Sequence, residues 1–168
     1  MIRCGLIERA CRGVYHVVNE GQGQHFVLAM VCARSPGSIV CLHSALRVHR
    51  IRSKEPGTEW LAIPYGSCAP RLPDVPLRIL RFSATARSLR VGETEIDGVP
   101  AYITSPERTI ADCFRLRRQA GAETGPAAFL DALGKGLVDI QELVRIESAL
   151  PCRRLRALLE HYAENPFR

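Results

Sequence analysis

The sequence predicts an α+β domain: a small mixed sheet with interspersed helices, then a helical C-terminal third, all preceded by a short β-hairpin. Three observations predict it. Short apolar runs bounded by Gly, Pro, Asn and Ser recur up to Thr104, the pattern of strands and turns. From Ser105 onward apolar residues recur at three- and four-residue spacing, the pattern of helices. No internal repeat, low-complexity tract or long flexible linker interrupts the 168 residues, a length that suits one domain with at most a small appendage.

In chain order, "GLIERACRGVYHV" reads as two short strands around a bend at Cys11-Arg12-Gly13, with Val14, Tyr15, Val17 and Val18 favouring the return strand. "NEGQGQ" is a loop, and a helix through "FVLAMVCAR" stops at "SPG", Ser35 to Gly37. "SIVCL", Ser38 to Leu42, is a short buried strand, and "HSALRVHRI" is a short helix with Ser44 as its cap. "EWLAIPYG" and "LRILRFS" are strand-like, joined by the proline-rich "CAPRLPDVP". In the second of them Leu77, Ile79 and Arg81 alternate with Arg78, Leu80 and Phe82, so either face could be the buried one. Asp97-Gly98 marks a hairpin turn inside "ETEIDGVPAYIT". Phe129, Leu130 and Leu133 lie at helical spacing before Gly134 and Gly136 end that helix. Asp139, with Glu142 three residues on, resembles a capping box. The last helix, from about Pro151 to Tyr162, carries a stripe of Leu155, Leu158, Leu159 and Tyr162.

The densest local cluster is "TSPERTIADCF", and its polar residues each have a helix-starting job. Ser105 can accept a hydrogen bond from the next turn, and Pro106 suits the first helical position. Glu107 complements the helix dipole. Ile110, Cys113 and Phe114 form an apolar face, while Arg108 and Asp112, four apart, can pair along the opposite side. Acid–base chemistry would need a second acid or a histidine beside Asp112, and the sequence supplies none nearby.

Composition narrows the function classes. Hydrophobic residues make up 46% and charged residues 24%, the mix of a soluble globular protein. The longest apolar runs, such as His25 to Ala33, are too short to span a bilayer. Charges run through "MIRCGLIERACRG", so no signal peptide is expected. The seven cysteines, odd in number and scattered, point to reduced thiols in a cytoplasm.

Catalytic and metal motifs are thin. Cys32, Cys41 and His43 are the metal candidates, but no C-x-x-C pair accompanies them, so no metal and no other cofactor is expected. His49 falls on the apolar side of its helix and reads as a partly buried histidine rather than a base. There is no Walker loop and no G-x-S-x-G, and the expectation is a protein that is not an enzyme.

The charge is more informative. Net charge is +6, and nearly all of it is arginine, Lys54 and Lys135 being the lysines. Such a balance favours an anionic partner, above all nucleic acid, although a biased genome composition also enriches arginine. Arginines fall into four groups: Arg3, Arg9 and Arg12 on the hairpin; Arg47, Arg50 and Arg52; Arg115, Arg117 and Arg118; and Arg153, Arg154 and Arg156. The first, second and fourth groups are the candidate DNA-contacting residues, Arg12 at the hairpin tip being placed to reach a phosphate or a minor groove.

On these pieces the chain resembles the AbiE-type abortive-infection antitoxins, the regulator half of type IV toxin–antitoxin pairs. "GLIERACRGVY" resembles the wing of that family's winged helix-turn-helix. "SIVCLHSALRVHRI", "EWLAIPYG", "LRILRFS", "IDGVPAYITSPERTIADCFRLR" and the closing helices resemble its C-terminal antitoxin domain in order and spacing. The resemblance implies a wing remnant over residues 1–20 and an antitoxin domain over 21–168. It implies an autoregulator of transcription that binds operator repeats ahead of its own operon. It also implies an antitoxin that counters a nucleotidyltransferase-like toxin without a stable complex. The family's recognition helices precede the wing, whereas this chain begins almost on the wing, so a truncated regulator is expected. Arginine–phosphate contacts would then outlast sequence readout. The alternative is a protein-interaction module that binds a toxin or another regulator without reading DNA sequence.

Overall fold

The structure is a computed structural model that describes residues 24–53, 57–72 and 75–165, together with the backbone of two strands near the N-terminus. Those strands, β1 (Ile7–Cys11) and β2 (Val14–Val17), pair antiparallel as a separate two-stranded sheet with an irregular register between Arg9 and Cys11. The expected hairpin is there, while its bend at Arg12-Gly13 and most of the "NEGQGQ" loop lie outside the described residues.

The α+β prediction holds. After α1 (Phe26–Arg34) come β3 (Ile39–Val40), α2 (Leu42–Val48), β4 (Glu59–Pro64), β5 (Leu77–Phe82), α3 (Ala84–Ser88), β6 (Val91–Ile96) and β7 (Val99–Thr104). Five helices close the chain: α4 (Pro106–Arg115), α5 (Arg117–Ala120), α6 (Thr124–Gly134), α7 (Ile140–Ala149) and α8 (Arg153–Glu164). The main sheet has the order β5-β4-β3-β7-β6. β3 pairs antiparallel with β4 and parallel with β7, β4 pairs parallel with β5, and β6 pairs antiparallel with β7. The sheet is therefore mixed. Asp97 and Gly98 both take positive φ, 44° and 79°, the backbone of a tight hairpin turn between β6 and β7.

Alternation along the strands builds two apolar layers. Ile39, Ala62 and Phe82 meet α4, α6, α7 and α8 on one face, and Val40, Leu61 and Ile103 meet α1 on the other. The two-residue β3 lies at the centre with both side chains buried, so its short length suffices. β5 resolves the ambiguity of its sequence in an unexpected way. Leu77 and Ile79 pack into one layer and Leu80 into the other beside Phe82, so neither face is the solvent face.

Four local expectations change. Leu42 ends no strand; it takes φ 45° and opens α2, which places Ser44 within the first helical turn rather than at its cap. The Ser44 hydroxyl instead donates to Glu59 Oε2 (2.6 Å) and accepts the Trp60 N–H (2.8 Å), tying α2 to β4. On α6 the buried face is Ala128, Phe129 and Ala132, while Leu130 is 53% exposed, because alanines one turn apart let the helix approach closely. Asp139 does cap α7 by accepting from the Gln141 N–H (2.8 Å), but Glu142 does not reach back. Glu107 accepts from the Asp139 N–H (3.2 Å) in its place, and Glu142 pairs with Arg90 and Arg145. Finally, α3 is a helix that composition did not announce, capped by Ser83 Oγ accepting from the Ala86 N–H (3.3 Å).

His49 is partly buried, as its place on the apolar side of α2 predicts. It caps α2, and its Nε2 donates to the Thr104 carbonyl at 2.7 Å. Burial holds its pKa below the usual 6.5, against the raising effect of that carbonyl and of Glu107. The folded state thus binds fewer protons than the unfolded chain between the folded pKa and 6.5, and stability there rises with pH. Acidification from about pH 7.5 to about pH 5 should lower the unfolding midpoint, and His49→Gln should flatten that slope in thermal melts.

Candidate functional site

The Ser105 cluster is the mechanical start of α4. Ser105 Oγ accepts from the Arg108 N–H at 3.2 Å, and Pro106 occupies the first helical position. The Arg108–Asp112 pair forms as spacing predicts, but not along a solvent side: both side chains are fully buried. Arg108 Nε donates to Asp112 Oδ2 (2.9 Å), and Nη1 donates to the carbonyls of Ala86 (3.1 Å) and Leu89 (2.8 Å). Its guanidinium carbon lies 5.4 Å from the Phe82 ring centre, a cation–π distance. The pair is buried because α3 and its exit leave two backbone carbonyls in the core, and a guanidinium supplies donors for both. Arg115 Nη1 meets Asp112 Oδ1 at 2.8 Å. Burial pushes the Asp112 carboxyl above its ordinary pKa, opposed by Arg108 and Arg115. Sealed between two arginines, this acid has no route to a substrate.

The metal candidates are likewise committed to packing. His43 uses both ring nitrogens, Nδ1 with Ser53 Oγ (3.0 Å) and Nε2 with the Ala120 carbonyl (2.9 Å). Burial pushes the Cys32 thiol up to about 12 and lifts Cys41 and Cys113 well above their ordinary range, so all three stay protonated. Among the described residues no group of three or more His, Cys, Asp or Glu is placed to hold a metal ion.

The candidate arginines divide by their partners. Arg3 and Arg12 lie outside the described residues, as does the side chain of Arg9 on β1. Arg47 is held by Glu59, whose Oε2 lies 2.5 Å from Nη2, and donates to the Thr58 carbonyl at 3.3 Å. Arg156 is held by Glu147 at 3.0 Å. In both cases a nearly buried glutamate needs a counter-charge, which sequence spacing does not reveal. Arg50, Arg52, Arg153 and Arg154 are exposed and form no ion pair among the described residues, although the Asp131 carboxyl is held low by Lys135 and, more weakly, by the nearby charge of Arg52. Arg50 and Arg52 bracket the end of α6, where the Arg52 N–H donates to Asp131 Oδ2 (2.8 Å) and Lys135 Nζ donates to the Arg50 carbonyl (2.8 Å). Arg47→Ala should therefore act on folding. It leaves Glu59 short of a partner and should cost about 2 kcal/mol, less than a fully buried pair because Arg47 is 21% exposed. Denaturant unfolding should show that loss.

A further basic feature arises from tertiary structure. Two adjoining cavities of about 420 and 330 Å³ share Leu80 and Gln119 and run beside β5. Arg78, Arg81, Arg115 and Arg118 line them together with Tyr65, which is 69% exposed, and no acidic residue among the described residues does. Arg81 is fixed by donating to the carbonyls of Pro64 (3.1 Å) and Ser67 (3.0 Å). Sequence reasoning had Arg115 and Arg118 as one group but not Arg78 and Arg81. The packing of the α4–α5 corner beside β5 brings them together, and nothing local encodes it.

Among the described residues no helix is long and apolar enough to cross a membrane. Set against known proteins, the chain matches no family model, and no curated protein is similar enough to it to name a relative.

Proposed function

We propose that this chain is a DNA-binding regulator and antitoxin of the AbiE type, as the motif resemblance implies, and that it acts in the cytoplasm without catalysing a reaction. It contacts the phosphate backbone through surface arginines and is paired genetically with a nucleotidyltransferase-like toxin that it does not hold in a stable complex. One observation carries the reading. After the buried carboxylates have taken their counter-charges, Arg50, Arg52, Arg153 and Arg154 remain exposed and outside any ion pair among the described residues, on a chain of net charge +6. Guanidinium groups left in that state are suited to paired hydrogen bonds with phosphate oxygens. The separate β1–β2 hairpin, apart from the main sheet, fits a wing that reaches a duplex.

Converting all four residues to alanine should weaken binding to operator and to unrelated DNA alike, since phosphate contacts carry no sequence information. Fluorescence anisotropy with both duplexes checks this. Equal affinity of variant and parent for both would remove the reading.

The second reading, a protein-interaction module, is favoured by the cavity pair beside β5, where an open strand edge and arginines lie together. Capture of the full chain from cells carrying its neighbouring gene separates the two. Recovery of promoter DNA supports the first, and a stoichiometric protein partner supports the second.

A further inference from the structure

The two outer strands of the main sheet carry opposite charge on the same face. β5 forms one edge and β6 the other, each six residues long, and among the described residues each pairs on one side only. Cross-strand partners run Glu93–Tyr102, Tyr102–Ile39, Ile39–Ala62 and Ala62–Leu80, so Glu93 shares a face with Leu80. Two-residue alternation adds Glu95 and Arg78 to that face, which is also the face from which α5 brings Arg118 to the β5 cavity. Glu93 and Glu95 are exposed on β6, Arg78 and Arg118 are exposed at β5, and none of the four forms an ion pair among the described residues. The pairing directions also make β6 run parallel to β5, so one edge can extend the other as a parallel neighbour without inverting the sheet.

We propose that copies of this chain associate head to tail, the β6 edge of one pairing with the β5 edge of the next. Glu93 and Glu95 then meet Arg78 and Arg118 across the junction. Unpaired strand edges supply the backbone hydrogen bonds, and the opposite charges set direction and disfavour β5–β5 or β6–β6 pairing. The contact uses two different surfaces, so it propagates into a ring or an open chain rather than stopping at a symmetric dimer. This assembly does not depend on the DNA-binding reading.

Sedimentation velocity of the full chain over rising concentration, at low and high salt, tests it. Species larger than a monomer should grow with concentration and shrink with salt. Reversal of either edge alone, Arg78→Glu with Arg118→Glu or Glu93→Arg with Glu95→Arg, should leave a monomer. The four reversals combined in one chain should restore the assembly. All four side chains are exposed, and unchanged circular dichroism melts would show that folding is not the cause. A wild type that stays monomeric throughout means that the charges only keep the edges apart, and that overturns the proposal. So does assembly that persists in both single-edge variants. Loss of DNA binding on reversing Arg78 and Arg118, with sedimentation unchanged, also overturns it and assigns the groove to nucleic acid.

Discussion

Arg108→Ala should lower the unfolding free energy by about 3–5 kcal/mol, the range for breaking a buried ion pair from one side. The change strips Asp112 of its fully buried partner and leaves the Ala86 and Leu89 carbonyls without the guanidinium donors that satisfy them. Arg115 remains on Asp112, but its side chain is 27% exposed, so it screens the buried carboxylate less well than the fully buried Arg108 does. Asp112→Asn should be severe as well, because it leaves a guanidinium charge in the core. Replacing both members, Arg108→Met with Asp112→Leu, should recover part of the loss. Recovery stays incomplete, since the two carbonyls are still unpaired. Urea unfolding of the four proteins checks the order.

Phe129→Ala should cost about 3–5 kcal/mol, the range for emptying a buried aromatic site. Phe129 is fully buried on α6 and meets the Tyr162 ring of α8 edge-on at 6.0 Å. It belongs to the same apolar cluster as Ile39 of the central strand and Leu155 of α8. Because that cluster joins sheet and closing helices, the variant should still unfold in one transition, with fluorescence and circular dichroism falling together. Separate transitions would mean that the helical third is an independent unit.

The parts of this fold that were legible in sequence are those decided within a few residues. Asp97-Gly98 specifies its turn wherever it stands, and Ser105-Pro106 starts a helix from its own side chains. The burial of Arg108 was not legible, because its partners are carbonyls about twenty residues earlier in the chain. Ser44 was misplaced for a related reason. A serine near a helix start reads as a cap, and only the approach of β4 shows that its hydroxyl serves Trp60 and Glu59. Helix α3 is too short to show a period, so its Ser83 cap had nothing to confirm it.

The candidate site divides in the same way. Arginine groups are visible as composition, but whether each is free depends on distant carboxylates. Glu59 claims Arg47 and Glu147 claims Arg156, while Arg50, Arg52, Arg153 and Arg154 keep their charge for solvent or a ligand. Arg78 and Arg81 looked like parts of an ambiguous strand. Strand order makes them an edge, and strand order is a long-range property.

The most direct test of the DNA-binding account is a salt titration of binding to a duplex, for the parent and for the variant with alanine at Arg50, Arg52, Arg153 and Arg154. The parent should show log K falling linearly with log salt concentration. The variant's slope should be shallower by about 0.9 for each of the four contacts removed. Parallel lines for the two proteins would contradict the account, for they would mean that these arginines release no counterions and touch no phosphate.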